Sequence, residues 1–306
     1  MSKTAFMFPG QGAQYIGMGK EFYDAFPFCR EIFEKAGQAA GLDVVSLCFE
    51  ENEQIHITEY TQIAMVTAEV AMLKALEDAG IKADVTAGLS LGEYGALVAS
   101  GALTMEDAFA LVRKRGIYMQ EAVPEGGAMT AVLGLDTDTI EKVCEDTEGI
   151  VSIANYNCPG QTVITGEAAA VSAAAEKCSE AGAKRCIPLK VSGPFHSSML
   201  AGAGEKLGEE LEHVEIHPIA IPYIANVTAD YVTDEKDVKP LLTKQVSSSV
   251  RWQQTVERMI ADGVDTFVEI GPGKTLSGFM RKIDKDVKVY NVEKLADLEK
   301  AVEALS

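Results

Sequence analysis

The chain has 306 residues, enough for one large domain or a large domain with a smaller insert, and either buries a substantial core. At 47% hydrophobic and 24% charged it has ordinary globular composition, and no window approaches the run of about 18 apolar residues that would span a bilayer. A formal net charge of −19 argues against non-specific nucleic-acid binding, and an acidic partner would need a local basic face to dock on.

The N-terminal stretch MSKTAFMFPGQGAQ passes from a short apolar run straight into a glycine-rich loop. It lacks the longer apolar region and small-residue cleavage site of a secretory signal, so a cytoplasmic location is expected. Within it TAFMF reads as a buried strand that ends in PGQGAQ. From there to about residue 125 the chain is mostly helical. The segment TQIAMVTAEVAMLKALEDAG has helical spacing and closes on Gly80. ADVTAG is then a short strand, and Tyr94, Leu97 and Val98 mark one face of a helix beyond it. Between residues 126 and 192 the pattern becomes strand (AMTAVLGL), helix (DTDTIEKVCEDTE), two strands joined by a turn (IVSIANYNCPGQTVITG), helix (EAAAVSAAAEKCSEAG) and strand (KRCIPLKV). That is the ferredoxin-like order. Further strands, IPYIANV and DTFVEIGPG, and helices, TLSGFMRKI and EKLADLEKAVEAL, follow. The expected architecture is therefore an α/β core with a largely parallel sheet, formed by residues 1–125 and 193–306, interrupted by a ferredoxin-like insert at 126–192.

Residues 88–92, GLSLG, fit G-x-S-x-G where a strand gives way to a helix. A nucleophile shown on so sharp a turn needs neighbours almost without side chains, and Gly88 and Gly92 meet that need. The amide of Leu91 and the positive end of the following helix would face a developing oxyanion. A serine hydroxyl needs a base. His196, in VSGPFHSSM at the return from the insert, has the best setting of the four histidines. Gln11 is central to FPGQGAQ, a turn able to offer a second backbone amide. Nucleotide loops are excluded: a Rossmann turn would need glycine or alanine where Tyr15 stands, and GPGKT would need glycine at Val268. The six cysteines form no C-x-x-C pair. His213 and His217 lie in a β-branched stretch before Pro218, which argues against a metal site.

Taken in order, FPGQGAQ, GLSLGEY, RGIYMQEAVPEG, NYNCPGQTVITG, GPFHSSM and FVEIGPGKTLSG resemble the malonyl-CoA:acyl-carrier-protein transacylase family over nearly the whole chain. Acyltransferase domains of polyketide synthases look similar. The resemblance implies an α/β-hydrolase-like core with a ferredoxin-like insert, and an acyltransferase that moves a malonyl group from malonyl-CoA to acyl carrier protein for fatty acid biosynthesis, with no metal or redox cofactor. It implies Ser90 as the acylated nucleophile, His196 as its base, and Gln11 and Leu91 as oxyanion-binding amides. Arg115 would bind the malonyl carboxylate, a role its planar fork suits; without the resemblance, Arg115 reads as part of a solvated basic helix face. Gln62 and Gln161 match glutamines near the acyl pocket, and Phe195 matches a malonyl-selective pattern. Two positions depart from the family: Leu89 stands where many members have histidine, and Arg251 occupies the place whose backbone carbonyl would orient His196. The carrier is expected to dock on a local basic patch drawn from Lys184, Arg185, Lys190, Arg281 and Lys282. The rivals are a serine esterase or thioesterase, with Asp136 or Glu167 as the third triad member, and a non-catalytic carrier-binding scaffold.

Overall fold

A computed structural model describes residues 2–305. In chain order the elements are β1 (Thr4–Phe8), α1 (Lys20–Ala25), α2 (Pro27–Ala40), α3 (Val44–Phe49), α4 (Thr58–Asp78), β2 (Val85–Gly88), α5 (Gly92–Ala99) and α6 (Met105–Ala122). Then follow β3 (Gly127–Leu133), α7 (Thr137–Glu145), β4 (Val151–Cys158), β5 (Gln161–Glu167), α8 (Ala168–Glu180) and β6 (Arg185–Pro188). The chain finishes with α9 (Ala201–Glu212), β7 (Tyr223–Ala225), β8 (Asp230–Val232), α10 (Val238–Gln245), α11 (Trp252–Ala261), β9 (Thr266–Ile270), α12 (Thr275–Ile283), β10 (Lys288–Val292) and α13 (Leu295–Leu305).

Six strands form one sheet in the order β10-β9-β1-β2-β7-β8, parallel except for the β7–β8 hairpin. The expected α/β core with a largely parallel sheet is what the fold contains. Central strand β1 is buried from Ala5 to Phe8, as a strand covered on both faces must be. One face packs on α4, whose residues are buried on nearly every side, as its all-round apolar sequence requires. The other face packs on α11 and α12 through Trp252, Val256, Leu276 and Met280.

The four remaining strands form an antiparallel sheet in the order β4-β5-β3-β6, with α7 and α8 closing a separate core around Val132, Ile140, Ile164 and Val171. All four lie within residues 126–192. This is the split βαβ arrangement that the strand and helix order suggested. Strand β4 is fastened to the larger sheet's side by Tyr156 N–H to the Val250 carbonyl (2.9 Å) and Val250 N–H to the Ala154 carbonyl (2.8 Å). The small sheet thus stands over the carboxyl ends of the parallel strands, where open α/β sheets place their ligands.

Gly80 adopts φ 85° just past α4, as expected of the residue that closes that helix. Two short strands, β8 and β10, escaped the sequence reading. β10 is an edge strand whose alternation, Lys288 to Val292, is too brief to separate from a loop without knowing that β9 lies beside it.

Candidate active site

Ser90 lies two residues beyond β2 and holds φ 52°, a left-handed backbone that a non-glycine residue adopts only under constraint. The constraint is steric and local. A Cβ on Gly88 would lie 1.9 Å from the Gly92 carbonyl oxygen, and one on Gly92 would lie 2.1 Å from that of Phe8. The two glycines let β2, α5 and β1 close up around the turn. Asn226, just beyond β7, ties it down, accepting from Ser90 N–H at 2.6 Å and donating to the Gly88 carbonyl at 2.6 Å.

His196, 106 residues further on, also has a positive φ, 61°, and its Nε2 is 2.7 Å from Ser90 Oγ. Its Nδ1 faces two backbone carbonyls, Gln245 at 2.9 Å and Ser248 at 3.1 Å. Carbonyls only accept, so Nδ1 carries the proton and Nε2 is free to take one from Ser90. The Gln245 carbonyl is available because Gln245 ends α10, and the last carbonyls of a helix have no partner within it. Burial, reinforced by the Arg115 charge, lowers the His196 pKa to about 4.

Arg115 is 1% exposed, and its Nη2 donates to Ser90 Oγ at 3.1 Å. Of the three cations in Arg113-Lys114-Arg115, Arg113 pairs with Glu59 at 2.9 Å and Lys114 lies half exposed near Glu210, while only Arg115 turns inward. Its other partners are neutral: Gln62 Oε1 (2.9 Å) and Gln245 Oε1 (3.0 Å). Its Nε–H is buried with no acceptor among the described residues. A desolvated guanidinium without a carboxylate in direct contact, and with one N–H unused, has the chemistry to accept an external carboxylate.

The backbone amides of Gln11 and Leu91 make no hydrogen bond among the described residues. Both residues line a cavity of about 240 Å³ together with Gln62, Leu89, Ser90, Arg115, Phe195 and His196. Two free N–H groups beside a nucleophile can stabilise an oxyanion, and removing one such donor typically costs about 10²-fold or more in rate.

Two expectations need correction. Arg251 does not orient His196: it precedes α11, and its carbonyl is taken by Thr255 N–H at 2.9 Å in the first turn. Its guanidinium lies instead 5.4 Å from the centre of the Tyr156 ring. Gln161 stays outside the cavity and accepts from Lys282 Nζ at 3.2 Å. It sits at the hairpin end of β5, two residues before Val163, which does line the cavity, and one pleat of about 7 Å carries it past the rim. Asp136 caps α7 and Glu167 accepts from Ile150 N–H, so neither meets His196. His213 ends α9 and His217 lies beyond it, with its amide on the Ala102 carbonyl.

Three residues of the site were missed. Gln245 is the hub: its carbonyl holds His196, its Oε1 takes Arg115, and its Nε2 donates to the Ser90 carbonyl (3.0 Å) and to Glu93 Oε2 (2.7 Å). Asn226 also sends its own N–H to Glu93 Oε2 at 3.1 Å. Glu93 and Asn226 did leave a signal, each the lone strongly polar residue of an apolar run (GEYGALVA and IPYIANV). Gln245, in a mixed helix, left none.

Comparison with known proteins identifies related acyltransferases. An acyl transferase domain family matches residues 5–300. A malonyl CoA-acyl carrier protein transacylase of Bacillus subtilis (strain 168) is 47% identical over 310 residues, covering 100% of this chain and 98% of that protein. A crystal structure of malonyl CoA-acyl carrier protein transacylase from Clostridium perfringens superposes with a TM-score of 0.96 at 47% identity, covering 99% of this chain and 97% of that one. A malonyl-transacylase in complex with its type II polyketide-synthase acyl-carrier protein superposes with a TM-score of 0.96 at 38% identity, covering 99% and 100%.

Proposed function

The chain belongs to the malonyl-CoA:acyl carrier protein transacylase family, and from that premise we propose how its residues carry a malonyl group from malonyl-CoA to acyl carrier protein for fatty acid synthesis. Ser90 Oγ attacks the thioester carbonyl as its proton passes to His196 Nε2. The Gln11 and Leu91 amides hold the oxyanion. Collapse breaks the C–S bond, and His196 returns the proton to the departing sulfur of CoA. In the second half the carrier's phosphopantetheine thiol gives its proton to His196 and attacks the malonyl ester. Ser90 then leaves with that proton. A thioester is exchanged for a thioester, so the overall step is near thermoneutral.

The observation that carries this reading is the 3.1 Å contact between Arg115 Nη2 and Ser90 Oγ. In a malonyl group one methylene separates carbonyl from carboxylate, so the anchoring cation must sit beside the nucleophile. Arg115 does. Acetyl-CoA would leave the guanidinium unpaired, and such sites reject the deficient ligand by about 10²-fold or more. Arg115→Ala should lower malonyl acylation of Ser90 about 10²-fold while sparing acetyl transfer, as read by intact-mass spectrometry with the two CoA esters. Full-rate malonylation in the variant would overturn the carboxylate role.

The same reading assigns Phe195 and Gln62 to the acyl pocket and carrier docking to Lys184, Arg185, Lys190, Arg281 and Lys282. All five cations are exposed. Gly134 packs on the Lys184 side chain and bonds the Gly160 carbonyl, while Lys282 reaches Gln161, so cations from the residue before β6 and from α12 flank one hairpin. Leu189 and Val191, either side of Lys190, line the cavity. Charge reversal at Lys184 and Lys282 should raise the carrier KM several-fold and leave that for malonyl-CoA unchanged; an unaltered carrier KM would rule this face out. The six cysteines are all unpaired, which suits a reducing, cytoplasmic setting.

A further inference from the structure

Arg115 touches only neutral acceptors, yet one anion is wired to it. Glu93, in the first turn of α5 and 1% exposed, bonds Gln245 Nε2 at 2.7 Å, and the same amide group accepts from Arg115 Nη2 at 3.0 Å. Two hydrogen bonds therefore separate the carboxylate from the guanidinium. Glu93 Oε2 also accepts from Asn226 N–H, while Oε1 is buried without a partner among the described residues. The carboxyl group is thus half satisfied, and its hydrogen bonds do not fix its protonation state.

We infer that Glu93 tunes the acyl selectivity of this site by its charge: ionised, it weakens the hold of Arg115 on the malonyl carboxylate, and arrival of that carboxylate brings a solvent proton onto Glu93. This rests on the carboxylate role proposed for Arg115. Glu93 touches neither substrate nor Ser90 Oγ, so it is a positioning residue that acts through Gln245.

Burial raises the Glu93 pKa to about 7, against the pull of Gln245, Asn226 and Arg115, so both forms are populated at neutral pH. The titratable and charged groups that face it are Arg115 from α6, Tyr94 from α5 itself and Tyr223 from β7; His196 reaches the same network through Gln245. Burial pushes both tyrosines far above neutrality and lowers His196 to about 4. Glu93 alone among them changes charge between pH 6 and 8. A second anion at Arg115 stabilises its protonated form further, which fixes the direction of proton flow.

The test is single-turnover acylation of the full chain in weakly buffered solution at pH 7, followed by intact mass and a pH indicator, with malonyl-CoA and acetyl-CoA compared at equal extents of acylation. Both esters release the same thiol, so the difference reports the malonyl carboxylate. We expect uptake of a substantial fraction of a proton with malonyl-CoA only. The second-order rate constant for malonylation should fall about tenfold from pH 6 to pH 8.5, the order expected for coupled charges in a semi-polar interior, while the acetyl rate stays flat. Glu93→Gln keeps an acceptor for Gln245 and Asn226 but removes the charge. It should abolish the proton uptake and hold malonylation at its low-pH rate. A malonyl adduct formed without excess uptake in the unmodified chain would overturn the inference and leave the function intact. No malonyl adduct at all would overturn the functional reading and this inference with it.

Discussion

After β9 the chain turns so that the start of α12 meets Glu269, a residue of β9 itself, whose carboxylate accepts from Leu276 N–H (2.9 Å), Ser277 N–H (2.7 Å) and Ser277 Oγ–H (2.6 Å). After β2, the turn into α5 keeps its own first-turn carboxylate, Glu93, engaged with Asn226 and Gln245, and the Leu91 amide stays free. Both turns leave parallel strands that pair with β1, and both are rich in glycine. One helix N-terminus is sealed at two of its amides by a carboxylate of its own strand; the other is left open at Leu91 for a negative charge brought by a reaction. The GPGKT turn resembles a phosphate loop in composition, but Glu269 takes the Leu276 and Ser277 amides at its helix start. Reactivity in this fold follows from the donors that folding leaves unused.

Substitutions can break that contrast, and the largest effect should come at the elbow. Gly88→Ala would force a Cβ to within 1.9 Å of the Gly92 carbonyl oxygen, which no side-chain adjustment relieves because the obstacle is backbone. We expect a loss of about 3 kcal/mol or more, measured by urea unfolding. The counterpart Gly273→Ala meets only the Ala13 Cβ at 3.3 Å and should cost about 1 kcal/mol, mainly for its φ of 79°. Equal losses would show that the two turns are equally tight.

Glu269→Gln probes the sealed turn. An amide NH₂ would replace one oxygen and face a backbone donor, at a cost of about 1–3 kcal/mol in stability. The acylation rate of the folded fraction should not change, since Glu269 bonds Leu276 and Ser277 and none of Ser90, His196, Arg115, Gln11 or Leu91. A drop in that rate would mean that the sealed turn supports the open one.

The smallest effect concerns pH. His196 has a folded pKa of about 4, against about 6.5 in the unfolded chain. Between those values the unfolded chain binds a proton that the folded one does not, so the His196 contribution to stability diminishes as pH falls through that window. The base itself stays unprotonated above about pH 4, and the rate of Ser90 acylation by acetyl-CoA should be nearly flat from pH 5 to pH 8. A break near pH 6.5 would indicate a solvated histidine and a looser site.

Local physics made much of this protein legible from its residues. The two glycines around Ser90 could be read as steric requirements before any fold was known, and the strand and helix order of the insert implied its antiparallel sheet. Short edge strands were not legible, because three to five residues acquire their pairing only from a neighbour. The basic triplet was ambiguous for a related reason: successive helix positions turn by about 100°, and which cation enters the core depends on what packs against α6.

The sequence alone determined the strained serine turn, the two-sheet plan and the family, since these depend on neighbouring residues or on motifs in order. Only the tertiary structure decided that the end of α10, not Arg251, supplies the carbonyl that orients His196, and that Gln245 joins Ser90, His196, Arg115 and Glu93 in one network. The reason is physical. These bonds join residues as much as 155 positions apart and are made by groups that helix ends and buried side chains leave unpaired, so they exist only once packing has brought distant segments together.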